Sequence, residues 1–386
     1  MRIGIQTIVD YNNYGNRLQN YALQRVLEQM GHEVVTLKNN FNNPYRPTQI
    51  PESKSVRILK SLKNGSFSKK VVKKVRLRNK NALINKHRDA RFRAFEAFSS
   101  HYISESEESY GDNLKDSAEL KSFDCFVIGS DQVWNYEFPR FSEFDFLPFV
   151  TQPKISYAAS FGVDTIPDNL QDIYAENLIK IDALSVREEK GKQIINDLLP
   201  EEDVKVVLDP TLLLDNDEWK KLIQDRQRYD KKYVLTYFLD EPNVENKNYI
   251  KKIAKQNNLE IKRFANVFDE ELWLADPAEF VNLFSQAEMV FTDSFHACVF
   301  AIIFEKYFEI FERNTKLKSM NSRIDTLMTN LHTGNRWHNS NSSLLELPDY
   351  NLINKHLEEQ RKESYDFLES SLRECQKKMK VVDKNV

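Results

Sequence analysis

Seven histidines are spread over 386 residues, and one of them, His296, stands in the run TDSFHACVFA, two residues after Ser294. Serine is a residue type that caps helices, and histidine moves protons near neutral pH. Other polar residues stand where strands end: Asn13, Gly15 and Asn16 in YNNYGNR, Ser130 and Asp131 in IGSDQ, Arg187 in SVREEKG, and Arg313 and Arg323 farther on. The first group offers amides, a hydroxyl and a carboxylate. The second offers cations and an imidazole. Across a cleft they suit an anion on one side and a polyhydroxyl compound on the other. Each has a plain structural role open to it as well: Arg187 beside Glu188 or Glu189, Arg313 beside Glu309 or Glu312, and Asp131 or Asn16 as a helix cap. Their common place at strand ends favours a site, because open α/β sheets bind ligands beyond their carboxyl ends.

The elements that must position these residues alternate. Ile3–Ile8 reads as a strand, followed by a glycine-containing loop, a helix through Leu27 and a strand at Glu33–Leu37. Residues 40 to 115 carry no strand signal, only a proline-rich link, a basic stretch and a helix near Arg91–Phe98. Strands return at Phe123–Ile128 and Lys154–Ala159, a short one ends at Arg187, and Val204–Leu208 follows. Further strands read at Tyr233–Leu239, Glu260–Phe264, Met289–Thr292 and Tyr307–Phe311, with helices between them. The alternation of apolar strands with helices predicts parallel sheets. A break near residue 180 predicts an N-terminal Rossmann-like domain over 1–180, with a basic helical insertion at about 54–98. A second such domain covers 181–340. Residues 341–386 are expected to form a polar loop and a last helix, about Asn351 to Lys378, that packs across the two or returns to the first.

Composition narrows the class. Hydrophobic residues make up 41% and charged residues 29%, as in ordinary soluble domains. No run of apolar residues is long enough to span a bilayer, and the first residues lack the pattern of a secretion signal. The three cysteines have no metal-ligand spacing, so a reduced, cytoplasmic protein without a metal is expected. The net charge of −3 conceals an asymmetry. Between Lys54 and Arg93 lie 15 Lys/Arg and one acid, leaving 40 bases against 57 acids elsewhere. Apolar residues interleave with the bases at roughly helical spacing, which favours an anionic membrane surface over nucleic acid. A solvated excursion without a partner is the alternative.

The strings NNYGNRLQNYAL, FDCFVIGSDQVWN, ISYAASFG, SVREEKG, VVLDPTLLL and TDSFHACVFAI, in this order over roughly Met1 to Leu331, resemble the polysaccharide pyruvyl transferase family. The resemblance implies a GT-B-like fold, two Rossmann-like domains with parallel sheets facing a central cleft. It also implies transfer of the three-carbon group of phosphoenolpyruvate, a co-substrate rather than a cofactor, onto a sugar as a ketal. The family's second-domain arginine and histidine match Arg187 and His296. A later basic residue matches Arg323, with Arg313 as competitor, and Ser294 joins them on the phosphoenolpyruvate side. Asn13, Gly15, Asn16, Ser130 and Asp131 fall on the acceptor side, and His296, Arg187 and Asp131 in catalytic roles. The sequence departs from many relatives at Ser294-Phe295, where they have Arg-Leu, and at Asn16, where they have an acid.

Chemistry supports the match independently. A carboxylate and a phosphate need convergent cations, for which arginine's planar fork is suited, and helix N-termini add N–H donors. The expected acceptor is a lipid-linked or nucleotide-linked precursor of a cell-surface polysaccharide, met at the inner face of the plasma membrane. A GT-B glycosyltransferase using a nucleotide sugar and a non-catalytic saccharide-binding relative are the competing readings.

Overall fold

The computed structural model describes residues 1–41, 43–45, 67–111, 117–313, 322–338 and 346–382, with backbone alone for 67–77 and 381–382. Seven short strands come first: β1 (Arg2–Gln6), β2 (Glu33–Asn39), β3 (Glu105–Tyr110), β4 (Cys125–Ile128), β5 (Lys154–Ser156), β6 (Leu184–Val186) and β7 (Val204–Val206). They are followed by β8 (Tyr233–Tyr237), β9 (Glu260–Phe264), β10 (Met289–Thr292) and β11 (Tyr307–Ile310). The first sheet runs β3-β2-β1-β4-β5 and the second β11-β10-β8-β9, all pairings parallel. Near-continuous burial along β1, β4, β8 and β11 is what a parallel sheet covered on both faces requires.

The pair β6–β7 belongs with the first sheet. Bridges Ile155–Ala183 and Ala159–Val186 join it to β5, and Ser156 N donates to Ala183 O at 2.9 Å. The break expected near residue 180 therefore falls between β7 and β8, and Arg187 stands on the first sheet rather than the second. Three buried apolar residues mark β6 as a strand, but nothing local says which sheet they extend. Strand β3, absent from the sequence reading, is a polar edge strand with three consecutive exposed positions, so it lacks the apolar alternation that announces a strand. The helix expected near Arg91–Phe98 runs from Phe67 to Tyr102.

Two helices tie the sheets together. In Tyr14–Gln29, Tyr14 donates to Ala275 O at 2.9 Å and packs its ring on Phe264 and Phe280 of the second body. Arg91, buried on the helix Phe67–Tyr102, donates to the Tyr14 hydroxyl at 2.7 Å and to Trp273 O at 2.5 Å. The last helix, Tyr350–Val382, starts against the second body, where Tyr350 donates to Lys306 O. It then passes to the first, where Ser364 Oγ accepts from Leu208 N at 3.0 Å and Lys378 pairs with Asp182. Among the described residues no helix is long and apolar enough to cross a membrane.

Candidate active site

The carboxyl ends of β1, β4, β6, β7 and β10 converge. After β1, the Asn13 side chain caps the helix Tyr14–Gln29 by accepting from Asn16 N at 3.2 Å. Directly on that helix start lies the His296 ring. A Cβ at Gly15 would collide with its Nδ1 and Cγ, so only glycine lets the second body's histidine rest there. His296 opens the helix Phe295–Ile303, whose approach is fixed by Asp293 accepting from Leu239 N at 2.7 Å and Asp240 N at 3.0 Å. Arg313 donates to the Asp293 carbonyl at 2.9 and 3.2 Å.

At the centre Arg187, 4% exposed, donates to Asp209 Oδ2 at 2.6 Å and Asp131 Oδ1 at 3.3 Å. Its guanidinium carbon lies 4.6 Å from the centre of the Phe295 ring. Asp209 also accepts from Ser130 Oγ at 3.3 Å and, through Oδ1, from Thr211 N and Oγ1. Its Oδ2 faces His296 Nε2 at 3.7 Å, a charge contact too long for a hydrogen bond, so the Arg187 contact is the firmer one. Asp131 Oδ2 accepts from Asn16 Nδ2 at 3.4 Å. Arg323, on the helix Ser322–Asn330, reaches the same place. Its guanidinium carbon is 5.9 Å from the Phe295 ring centre, and with the Gln132 amide oxygen turned toward it both η nitrogens donate there, at 3.0 and 3.3 Å.

The electrostatics separate these groups by task. Burial would raise Asp209, but His296, Arg187 and Thr211 hold it far below the carboxylate range. Asp131 is likewise lowered against burial, by Arg187, His296 and Arg323. Burial opposes the charge on Arg187, yet Asp209, Asp131 and Glu188 raise it above its ordinary value. Glu188 goes the other way, pushed up by burial. Arg323 is lowered to about 10 by burial and by Arg187. No carboxylate of the described residues stands within ion-pair distance of Arg323. Four polar atoms here are buried without a hydrogen-bond partner among the described residues: Arg187 Nε, Glu188 Oε2, His296 Nε2 and Arg323 Nε. Buried polar groups are normally satisfied, so their concentration at one junction makes it the candidate ligand position.

His296, Arg187, Arg323, Asp131, Ser130 and Asn16 thus come together. Asn13 and Gly15 shape the helix start under the histidine. Ser294 caps its helix without a side-chain bond, and Arg313 braces the turn. The expected division into an acceptor half and a cationic half does not match the strand pairing, since Arg187 rides on the first sheet with two carboxylates on its η nitrogens. Sequence reasoning missed Asp209, Glu188, Phe295 and Gln132 as site residues, although VVLDPTLLL and SVREEKG contain two of them. Aspartate before proline reads as a cap, which Asp209 also is, and Glu188 reads as a solvated helix start. A cavity of about 720 Å³ between Tyr21, Tyr102 and Lys221 lies away from this cluster, against the outer part of Tyr14–Gln29.

Two parallel α/β units joined by a returning C-terminal helix, with polar side chains gathered where their strands end, define a GT-B-like architecture. Residues 13–312 match the family described as polysaccharide pyruvyl transferase, and the chain belongs to that family. No functionally curated protein matches the sequence. Among solved structures, the chain is similar to a putative UDP-N-acetylglucosamine 2-epimerase from Listeria monocytogenes, with 12% identity and a TM-score of 0.47 over 95% of this chain and 90% of that one. It is also similar to the UDP-GlcNAc 2-epimerase of Methanocaldococcus jannaschii, with 12% identity and a TM-score of 0.44 over 93% and 92%. An uncharacterized Klebsiella pneumoniae protein shares 14% identity and a TM-score of 0.39 over 65% of this chain and 86% of that one.

Proposed function

We propose that the protein transfers the pyruvyl group of phosphoenolpyruvate onto a sugar of a cell-surface polysaccharide precursor, as a ketal. The observation that carries this is Arg323, a buried guanidinium with no carboxylate of the described residues to pair with, beside the unpartnered Nε of Arg187. A buried unpaired charge costs several kcal/mol, and an anion bound between the two arginines removes that cost. Phosphoenolpyruvate brings two anionic groups, and the Phe295 ring beneath both guanidiniums keeps them on one side. His296 Nε2 stands at the same junction and supplies the proton that turns the methylene carbon into a methyl group.

Arg187 then acts less as a free anion trap than as a cation fixed by Asp131 and Asp209 and offering its unpartnered Nε–H. The acceptor side is drawn from Asn16, Ser130 and Asp131 on the first sheet. The basic helix faces outward along Arg78, Lys80, Lys86, Arg88 and Arg93, all exposed. We read it as a peripheral contact with anionic lipid that brings the enzyme to a lipid-linked acceptor at the inner face of the membrane. The more basic part of that segment, up to residue 77, lies outside the described side chains. Mass spectrometry tests the reaction. Phosphoenolpyruvate with a panel of methyl hexosides and methyl N-acetylhexosaminides should give phosphate release and a pyruvyl mass gain on one of them. Glycosyl transfer from a nucleotide sugar, with no use of phosphoenolpyruvate, would replace this reading with the glycosyltransferase one.

A further inference from the structure

We propose that Glu188 is a catalytic residue, the second proton carrier of the site: it takes the proton of the acceptor's first hydroxyl and hands it to the departing phosphate. This inference rests on the pyruvyl transfer proposed above. Ketal formation from phosphoenolpyruvate and a diol moves two protons, one to the methylene carbon and one to the phosphate, and His296 alone carries one at a time.

Three carboxylates surround Arg187, and only one is free to act. Asp209 has both oxygens engaged by Arg187, Ser130 and Thr211. Asp131 has one oxygen on Arg187 and the other on Asn16, and its lowered pKa makes it a poor proton acceptor. Glu188, 2% exposed, is anchored through Oε1 alone, which accepts from Ser160 Oγ at 2.8 Å and Phe161 N at 3.2 Å. Gly191 packs under that oxygen, where a Cβ would stand 3.4 Å away. Oε2 has no hydrogen-bond partner among the described residues and stands 4.0 Å from the unpartnered Arg187 Nε. A carboxyl group held by one oxygen with the other left open beside the arginines is the arrangement a proton carrier needs. Burial also moves its acidity toward neutrality.

The steps balance. The alkene electron pair of phosphoenolpyruvate takes a proton from His296, forming the methyl group. The acceptor's first oxygen bonds to the neighbouring carbon and gives its proton to Glu188. The carbon–oxygen bond to phosphate then breaks, and the leaving phosphate takes the proton back from Glu188. The second hydroxyl oxygen closes the ketal and returns its proton to His296. Both residues end as they began, and nothing is oxidised or reduced.

The test compares Glu188→Gln and Glu188→Asp with wild type, using phosphoenolpyruvate and the methyl glycoside that wild type converts. Glu188→Gln should lose roughly 10²–10⁴-fold in kcat while calorimetry shows phosphoenolpyruvate affinity within about threefold of wild type. The acid limb of the wild-type pH profile should vanish in this variant and persist in Glu188→Asp. The groups facing Glu188 are Arg187 beside it, Arg323 from its own helix, and Ser160 and Phe161 from the loop after β5, none of which is altered. Wild-type turnover by Glu188→Gln would overturn the proposal. So would a parallel loss of phosphoenolpyruvate binding and turnover in both variants, which marks a structural role. A wild-type protein that releases no phosphate fails the pyruvyl-transfer reading instead, before either variant is made.

Discussion

Replacing Arg323 by methionine should make the unliganded protein more stable and its phosphoenolpyruvate binding weaker. An arginine drawn from 12.5 to about 10 carries a penalty of roughly 3 kcal/mol on its charged form. Because the group is a cation with a lowered value, the penalty is fully present at neutral pH and is relieved only above about 10. Methionine has similar bulk and no charge to desolvate. The Gln132 oxygen loses two N–H donors but can turn to Asn135 Nδ2, which reaches it at 2.9 Å. The net gain should be about 1–3 kcal/mol, read as a higher urea midpoint at unchanged slope. Binding goes the other way. One charge-assisted hydrogen bond is worth about 1.5–3 kcal/mol, so phosphoenolpyruvate affinity should fall roughly 10- to 100-fold. Saturating phosphoenolpyruvate should raise the wild-type midpoint far more than that of Arg323→Met. A variant less stable than wild type without ligand, yet equally stabilised by phosphoenolpyruvate, would refute the claim that Arg323 waits for an anion.

Other perturbations separate the remaining roles. His296→Ala should lower kcat by roughly 10²–10⁴-fold with the fold intact, as shown by an unchanged urea midpoint and phosphate-release assays. Gly15→Ala drives a methyl group into the imidazole, so it should cost about 1–3 kcal/mol of stability and depress kcat more than it raises KM. Arg187→Ala leaves Asp131 and Asp209 buried and unpaired, and should destabilise by about 3–5 kcal/mol, which Arg187→Lys should partly recover. The lowered pKa values of Asp131 and Asp209 stabilise the fold above their unfolded values near 4, and that contribution should be lost progressively as pH falls from there through the folded values. Changing Lys80, Lys86, Arg88 and Arg93 to glutamate should abolish sedimentation with anionic vesicles at low salt and leave turnover of a soluble acceptor unchanged.

Much of this architecture is legible in the sequence because parallel strands are buried on both faces, and their apolar runs stand out against helical spacing. The loops at their carboxyl ends are legible for the same reason, and His296, Arg187 and Asp131 stand at them, whereas Arg323 is legible only through the family resemblance. Two things were hidden. A strand of three residues such as β6 carries no label for its sheet, and only the bridges at Ala183 and Val186 tie it, with Arg187, to the first body. Asp209 and Glu188 each begin a helix, and acidic residues at helix starts are so common that their burial and their turn toward Arg187 leave no trace in composition.

The division of the site between bodies has a mechanical consequence. His296 belongs to the second sheet, while Gly15, Arg187, Glu188 and Asp209 all belong to the first. The side chains of Arg187, Glu188 and Asp209 are each a twentieth exposed or less, and His296 itself is only 8% exposed, so the proposed reaction, with two substrates carrying several polar groups, requires the bodies to separate. Separation breaks the Tyr14 to Ala275 bond and the Arg91 contacts with Trp273, which hold the same helix start against the second body. Closure then rests His296 on Gly15 and sets it opposite Asp209 in one movement. In the reaction proposed above, such a closure would complete the proton donor only once water has been squeezed from around the reacting carbon, guarding phosphoenolpyruvate against hydrolysis.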